Sequence, residues 1–213
     1  MISIILPSVR PENLKNCIEA IIKAADYDDK LFEIILVTDF KHQWESANIK
    51  SFYAPERKGV VDALNKGIAV AQGDYLFTLS DEAILGDKAF LYLLKDSKEL
   101  YQDKALLTPL HIPHYPFFYY GRYFAAFPFA HRDLIERVGG FFDPIYHCFY
   151  ADPDLSLRCH QIDIEVHVCE LATIYHPNNM SCEAHRMNVA LYVEADRAIF
   201  KKRWKHLGEF KDP

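Results

Sequence analysis

The chain has 213 residues, half of them hydrophobic and 14% aromatic, enough for one full α/β domain with a packed core and too apolar for disorder to be the default. A net charge of -6 at pH 7 argues against a general nucleic-acid binder, which would carry a basic footprint. No apolar run approaches the ~20 residues that span a bilayer, and Met1 to Leu6 lacks the basic leader of a signal peptide.

Ile2 to Leu6, closed by Pro7, reads as a strand buried on both faces. Pro11-Glu12 opens a helix in which Leu14, Ile18, Ile21, Ile22 and Ala25 recur at helical spacing. Ile34 to Val37 is a second buried strand. Val61, Leu64, Ile68 and Ala71 mark a second helix, with Gly73 placed to end it. Tyr75 to Leu79 is a third strand and runs directly into Ser80-Asp81-Glu82. Strand and helix alternate, which implies right-handed crossovers and a mostly parallel sheet flanked by helices. Ligands of such sheets bind beyond the carboxyl ends of the strands, where Asp39, Asp81 and Glu82 fall.

A third helix over Lys88 to Leu100 and a strand at Leu106-Leu107 complete the first half. Pro109 to Tyr123, rich in Pro, His, Phe and Tyr, is either a substrate-facing lid or a loop whose aromatics cover the core. A strand at Ala125 to Phe129 and a helix at Arg132 to Val138 follow, stopped by Gly139-Gly140. Asp152-Pro153 has the form of a helix start, with Asp as N-cap and Pro at the first helical position. Short strands are expected at Glu165 to Val168 and Ala172 to Tyr175, then a last helix over Asn188 to Lys205. Its basic end, Lys201 to Lys205, complements the helix dipole, with binding to a membrane or acidic partner as the alternative. No repeat or linker divides the chain, so one domain over 1–213 is expected. Its ending at Lys211-Asp212-Pro213 suits either a compact enzyme or one domain of a larger polypeptide.

Five cysteines without a Cys-x-x-Cys pair fit reduced thiols in a cytoplasmic protein, buried as small hydrophobes. A structural zinc site on Cys182 and His185 is the sharper alternative. Gly-x-Gly-x-x-Gly, the P-loop and the Gly-x-Ser-x-Gly elbow are all missing. Pro7-Ser8-Val9-Arg10 offers no glycine cradle, so phosphates would have to be neutralised differently. Carboxylates at Asp81-Glu82 with a downstream imidazole, His176, can hold a divalent cation, and a carboxylate kept off the metal can act as a base.

In order along the chain, Ile4 to Ser8, Glu33 to Asp39, Asn65 to Ala69, Ala71 to Tyr75, Ser80-Asp81-Glu82, Val138 to Asp143, Asp152 to Arg158, His176 and Phe200 to Trp204 resemble the blocks of the GT-A fold nucleotide-sugar glycosyltransferases, most nearly family 2. The resemblance covers nearly the whole chain. Ser80-Asp81-Glu82 sits where the family carries its Asp-x-Asp metal motif. Asp152-Pro153-Asp154-Leu155-Ser156-Leu157-Arg158 is similar to its Glu-Asp-x-Asp-Leu-x-x-Arg signature. Thr38, Ser80 and Ala151 replace acidic residues of the family pattern.

The resemblance implies a GT-A fold, with about 1–108 binding the nucleotide-sugar and about 109–213 the acceptor. It implies metal-dependent transfer of a hexose from a UDP-sugar, such as UDP-glucose, to a glycan or other sugar acceptor, as in polysaccharide biosynthesis. Asp81, Glu82 and His176 would hold Mn2+ or Mg2+. Asp39 would contact uracil or ribose and Arg10 and Lys58 the diphosphate, with Pro7, Ser8, Asn65, Ser80 and Asp81 completing the donor site. Asp152 is the candidate base, Asp154 its runner-up, and Arg158 orients one of the two. Inversion is favoured, and retention stays open. A sugar nucleotidyltransferase, or a degenerate domain that binds nucleotide-sugar or glycan without turnover, are the alternative functions.

Overall fold

The structure, a computed structural model, describes residues 1–41, 46–113, 117–176 and 183–210. Its elements run β1 (Ile2–Ser8), α1 (Pro11–Ala24), β2 (Phe32–Thr38), β3 (Ile49–Tyr53), α2 (Val60–Val70), β4 (Tyr75–Thr78), β5 (Ile84–Leu85) and α3 (Ala89–Lys95). They continue as β6 (Leu106–Ile112), β7 (Phe118–Tyr119), β8 (Arg122–Tyr123), β9 (Phe129–His131), α4 (Arg132–Arg137), α5 (Ala151–Gln161), β10 (Val166–Tyr175) and α6 (Glu183–Trp204). Among the described residues an eight-stranded sheet has the order β3-β2-β1-β4-β9-β6-β10-β5. β1 pairs in parallel with β2 and β4, as β2 does with β3 and β10 with β6. β9 runs antiparallel to β4 and β6, and β5 antiparallel to β10.

The apolar runs that predicted two-sided burial have it. Ile2, Ile4 and Leu6 enter one core with Leu14, Cys17, Ile18 and Ile21 of α1 and with Phe90 and Leu93 of α3. Ile5, one residue out of step, enters the other core with Val61 and Leu64 of α2, Leu155 of α5 and Phe200 and Trp204 of α6. That is the period-2 alternation of a strand sandwiched between helical layers. Burying such side chains contributes about 1.5–3 kcal/mol each.

Several elements differ from the sequence expectation for identifiable reasons. β3, with residues half-buried or exposed, is an edge strand without the apolar run that betrayed β1 and β2. The two short strands expected after Glu165 form one strand, β10, whose register shifts between Cys169 and Thr173 at an irregularity. The expected strand at Ala125 begins only at Phe129. The third helix is α3 continued by a π-helical turn at Asp96–Leu100. Gly73 does not end α2, which stops at Val70. A Cβ there would lie 2.7 Å from the Met1 carbonyl oxygen and the Ser3 nitrogen, so the glycine lets the turn into β4 cross the start of β1.

Of the aromatic segment Pro109 to Tyr123, the first residues complete β6, and β7 and β8 form a small hairpin. Tyr119 stacks on Phe210 and meets Phe200 edge-on, which covers the second core. His114 to Pro116 lie outside the described residues, as do Cys182 of the alternative zinc pair and Lys211 to Pro213.

Candidate functional site

A cavity of about 410 Å³ opens beyond the carboxyl ends of β1, β2 and β4, where Pro7-Ser8, Val37-Thr38 and Thr78 reach its floor. The loops that leave those strands supply its chemistry. From the first loop come Ser8 and Arg10, from the second Asp39, and from the third Ser80, Asp81 and Glu82. Lys58 and Gly59 enter just ahead of α2, Asp152 from the start of α5, His176 after β10, and His185 to Tyr192 from the first turns of α6.

At the floor Asp81 is buried. Its carboxylate accepts the Ser8 hydroxyl at 2.7 Å and pairs with the Arg10 guanidinium, which also pairs with Glu82. Ser8 Oγ in turn accepts the Arg10 backbone N–H at 3.2 Å, so the turn after β1 is folded around its own arginine. Asp39 pairs with Arg57, a residue the sequence reading passed over. Lys58, exposed at the rim, pairs with Glu56 at 2.9 Å, which raises the ammonium pKa and lowers the carboxylate's. Ser80 is the turn former of its loop, its Oγ accepting the Glu82 N–H at 3.4 Å.

Gly59 is the hinge between this basic stretch and α2. It has φ +97°, and a Cβ on it would lie 2.2 Å from the His147 carbonyl oxygen. That same oxygen accepts the Val61 N–H at 3.0 Å. The helix start and the loop ahead of α5 are thus in backbone contact at a point where only glycine fits.

The carboxylate of Asp152 is not a helix cap. α5 starts two residues earlier than expected, at Ala151, with Tyr150 as the capping residue and no side-chain cap bond. Asp152 therefore lies in the first turn and lines the cavity, where burial pushes its pKa up to about 7. A carboxyl poised there exchanges protons near neutrality, as a general base requires.

Asp154 and Arg158 stand elsewhere. Asp154 is fully buried and accepts Tyr146 Oη at 3.1 Å, Trp204 Nε1 at 3.0 Å and Arg158 Nε at 2.9 Å. Arg158 also donates to the carbonyls of Val138, Gly140 and Phe141, at 3.1, 2.8 and 2.5 Å. Neither lines the cavity, so this half of the acidic signature ties α5 to α6 and to the glycine loop. Asn65 is likewise a tie, donating to the Phe142 carbonyl at 3.1 Å.

Asp81, Glu82 and His176 share the cavity. Among the described residues, however, no three His, Cys, Asp or Glu side chains converge into a cation cage. The chemistry of the donors still fits one. The carboxylate pair already holds a positive group, the Arg10 guanidinium. His176 is kept neutral, its pKa lowered to about 4 by burial and by the nearby His111, Arg10 and His185. Two hard oxygen donors with a neutral imidazole suit Mn2+ or Mg2+.

Sequence reasoning missed Arg57, Gly59 and the α6 wall of the cavity. Arg57-Lys58-Gly59 ahead of an apolar helix was a usable signal, since glycine at a helix entry marks special backbone. The α6 residues gave none, because their role depends on contacts with segments far away in the chain.

The profile of the family described as "Glycosyl transferase family 2" matches residues 3–151. No curated protein matches the chain in sequence. Among solved structures it is similar to the mannosyltransferase PcManGT from Pyrobaculum calidifontis in complex with GDP-Man and Mn2+. There the TM-score is 0.68 at 15% identity, over 100% of this chain and 65% of that one. It is similar to GalNAc-T7 with UDP, GalNAc and Mn2+ (0.65, 14% identity, 98% and 53%). It is also similar to S. aureus TarS (0.65, 11% identity, 95% and 43%). At these identities the likeness is one of fold, and the chain spans between 43% and 65% of the length of these structures.

Proposed function

The chain belongs to glycosyl transferase family 2, and from that premise we propose that it moves a hexose from a UDP-sugar, such as UDP-glucose, to a glycan or other sugar acceptor with inversion. The observation that carries this reading is the position of Asp152, a carboxylate with pKa about 7 facing the same cavity as Ser8, Arg10, Asp39 and Asp81. Residues 1–108 form the donor half and 109–213 the acceptor half. Asp39, steadied by Arg57, contacts the uracil or ribose, and Arg10 and Lys58 draw in the diphosphate. Pro7, Ser8 and Ser80 shape the floor beneath it.

Asp152 removes the proton from the acceptor hydroxyl. The oxygen forms a bond to the anomeric carbon from the face opposite the nucleotide, the bond from that carbon to the diphosphate oxygen breaks, and UDP leaves with the electron pair. General base catalysis of this kind contributes roughly 10²–10⁴-fold. Asp81, Glu82 and His176 are the residues that would hold Mn2+ or Mg2+, which when bound supplies Lewis-acid neutralisation of the diphosphate. For that, Arg10 must exchange its carboxylate partners for the phosphates.

PcManGT and GalNAc-T7 were solved with Mn2+ and a nucleotide or nucleotide-sugar, which supports this assignment. We assign the reaction to polysaccharide synthesis in the cytoplasm. The free thiols of Cys17, Cys148, Cys159 and Cys169 support that compartment, and no helix among the described residues is long and apolar enough to cross a membrane. The test is UDP release from a panel of UDP-sugars with Mn2+, with Mg2+ and with EDTA. Metal-dependent release from one donor supports the reading. Absence of release from every donor, with UDP failing to raise the melting temperature, refutes it.

A further inference from the structure

We infer that Asp196 is a positioning residue for Asp152, an inference that rests on the base assignment above. Asp196 lies midway along α6 and is fully buried, yet it has no Lys or Arg partner among the described residues. Its carboxylate instead gathers backbone. It accepts the His147 N–H at 3.1 and 3.2 Å, the Cys148 N–H at 2.8 Å and the Phe149 N–H at 2.9 Å. His147 Nδ1 lies 3.2 Å from its other oxygen. Three successive amides aimed at one carboxylate form an anion-binding nest, and hydrogen bonds of this charge-assisted kind are about twice as strong as neutral ones.

The segment so held is the approach to the base. Tyr150 follows with φ 63° and ψ 3°, a left-handed conformation that a bulky side chain adopts only under constraint. Its hydroxyl accepts Arg197 Nε at 3.0 Å, from the residue next to Asp196. Ala151 and Asp152 come directly after. On the other side, the His147 carbonyl receives Val61 N–H of α2. Residues 147–150 are therefore gripped by α6 on one side and by the nucleotide-side helix on the other, and the direction in which Asp152 leaves this grip is set by Asp196. α6 also walls the cavity with Leu191 and Tyr192, so one helix shapes the acceptor side and aims the base.

The test compares Asp196→Asn, Tyr150→Phe and Asp152→Asn in the full chain, reading kcat with the donor that the UDP-sugar panel selects and UDP affinity by calorimetry. Asn at 196 places an amide NH2 against the backbone donors, which tilts the loop. A misplacement of about 1 Å at the base costs about 10²-fold in kcat, with UDP affinity unchanged. Tyr150→Phe removes the hydroxyl that accepts Arg197 Nε and keeps the ring in the second core, so it gives a smaller fall in kcat with the same unchanged affinity, and it carries the test if Asp196→Asn does not fold. Wild-type kcat in both variants, or kcat and UDP affinity falling together, overturns the inference. Turnover retained by Asp152→Asn refutes the base assignment and this inference with it. Turnover lost in Asp152→Asn but untouched in Asp196→Asn and Tyr150→Phe refutes this inference alone.

Discussion

Replacing Asp154 by alanine removes the acceptor at the centre of the second core. Tyr146 Oη and Trp204 Nε1 lose a buried partner, Arg158 loses its ion pair, and Arg203 Nε loses a contact at 3.3 Å. Arg158 is 11% exposed, so its charge stays largely buried when the partner goes. Breaking a buried pair on one side costs about 3–5 kcal/mol. The neutral donors left without an acceptor are each worth about 1–3 kcal/mol, but the losses share one relaxation and do not add. We therefore expect a loss of about 4 kcal/mol. In a domain of this size each kcal/mol lowers Tm by about 2–4 °C, so the melting temperature falls by about 8–16 °C. Urea unfolding followed by circular dichroism, with thermal melts alongside, measures it. A loss below about 1 kcal/mol, the size of an exposed ion pair, would refute the reading of Asp154 as a buried structural anchor.

The raised pKa of Asp152 has two consequences with opposite directions. Turnover rises with pH through an apparent pKa near 7 as the base loses its proton, and this limb disappears from the pH–rate profile of Asp152→Asn. Stability moves the other way: the folded pKa lies above the unfolded value of about 3.9, so the contribution is present below that value and lost as pH climbs through about 7. The Tm of wild type relative to Asp152→Asn should therefore fall between pH 4 and pH 7. Gly59→Ala must either push the His147 carbonyl away or distort α2. With φ at +97° it should cost about 1–3 kcal/mol from backbone strain alone and weaken UDP binding, both readable in one set of thermal-shift titrations. Arg10→Gln takes the guanidinium away from Asp81 and Glu82, so Mn2+ binding without nucleotide, followed by electron paramagnetic resonance, should strengthen while UDP affinity falls. Equal Mn2+ affinity in both proteins would show that the guanidinium does not compete for those carboxylates.

Much of the fold was legible because it rests on patterns local in sequence. The runs at Ile2 and Ile34 and the 3.6-residue spacing after Pro11 each specify an element whatever the rest of the chain does. Asp39, Asp81 and Glu82 were placed beyond the strand ends by the same logic. What escaped was set by distant partners. Edge strand β3 has no apolar run to announce it. Asp152 and Asp154 look equivalent two residues apart, and only the helix start at Ala151 turns one to the cavity and the other into the core. Gly73 reads as a helix stop, but its job is to clear Ser3, 70 residues away. The value of Asp196 depends on amides some 48 residues earlier, which no local pattern encodes.

In the proposed reaction a single carboxylate, Asp152, performs proton removal in a site that otherwise binds nucleotide-sugar. Single-turnover transfer by Asp152→Asn, with UDP affinity measured on the same preparation, tests it most directly. Transfer should be slowed by about 10²–10⁴-fold with UDP bound as tightly as by the wild type. Transfer at the wild-type rate, or slow transfer explained by lost UDP binding, would contradict it.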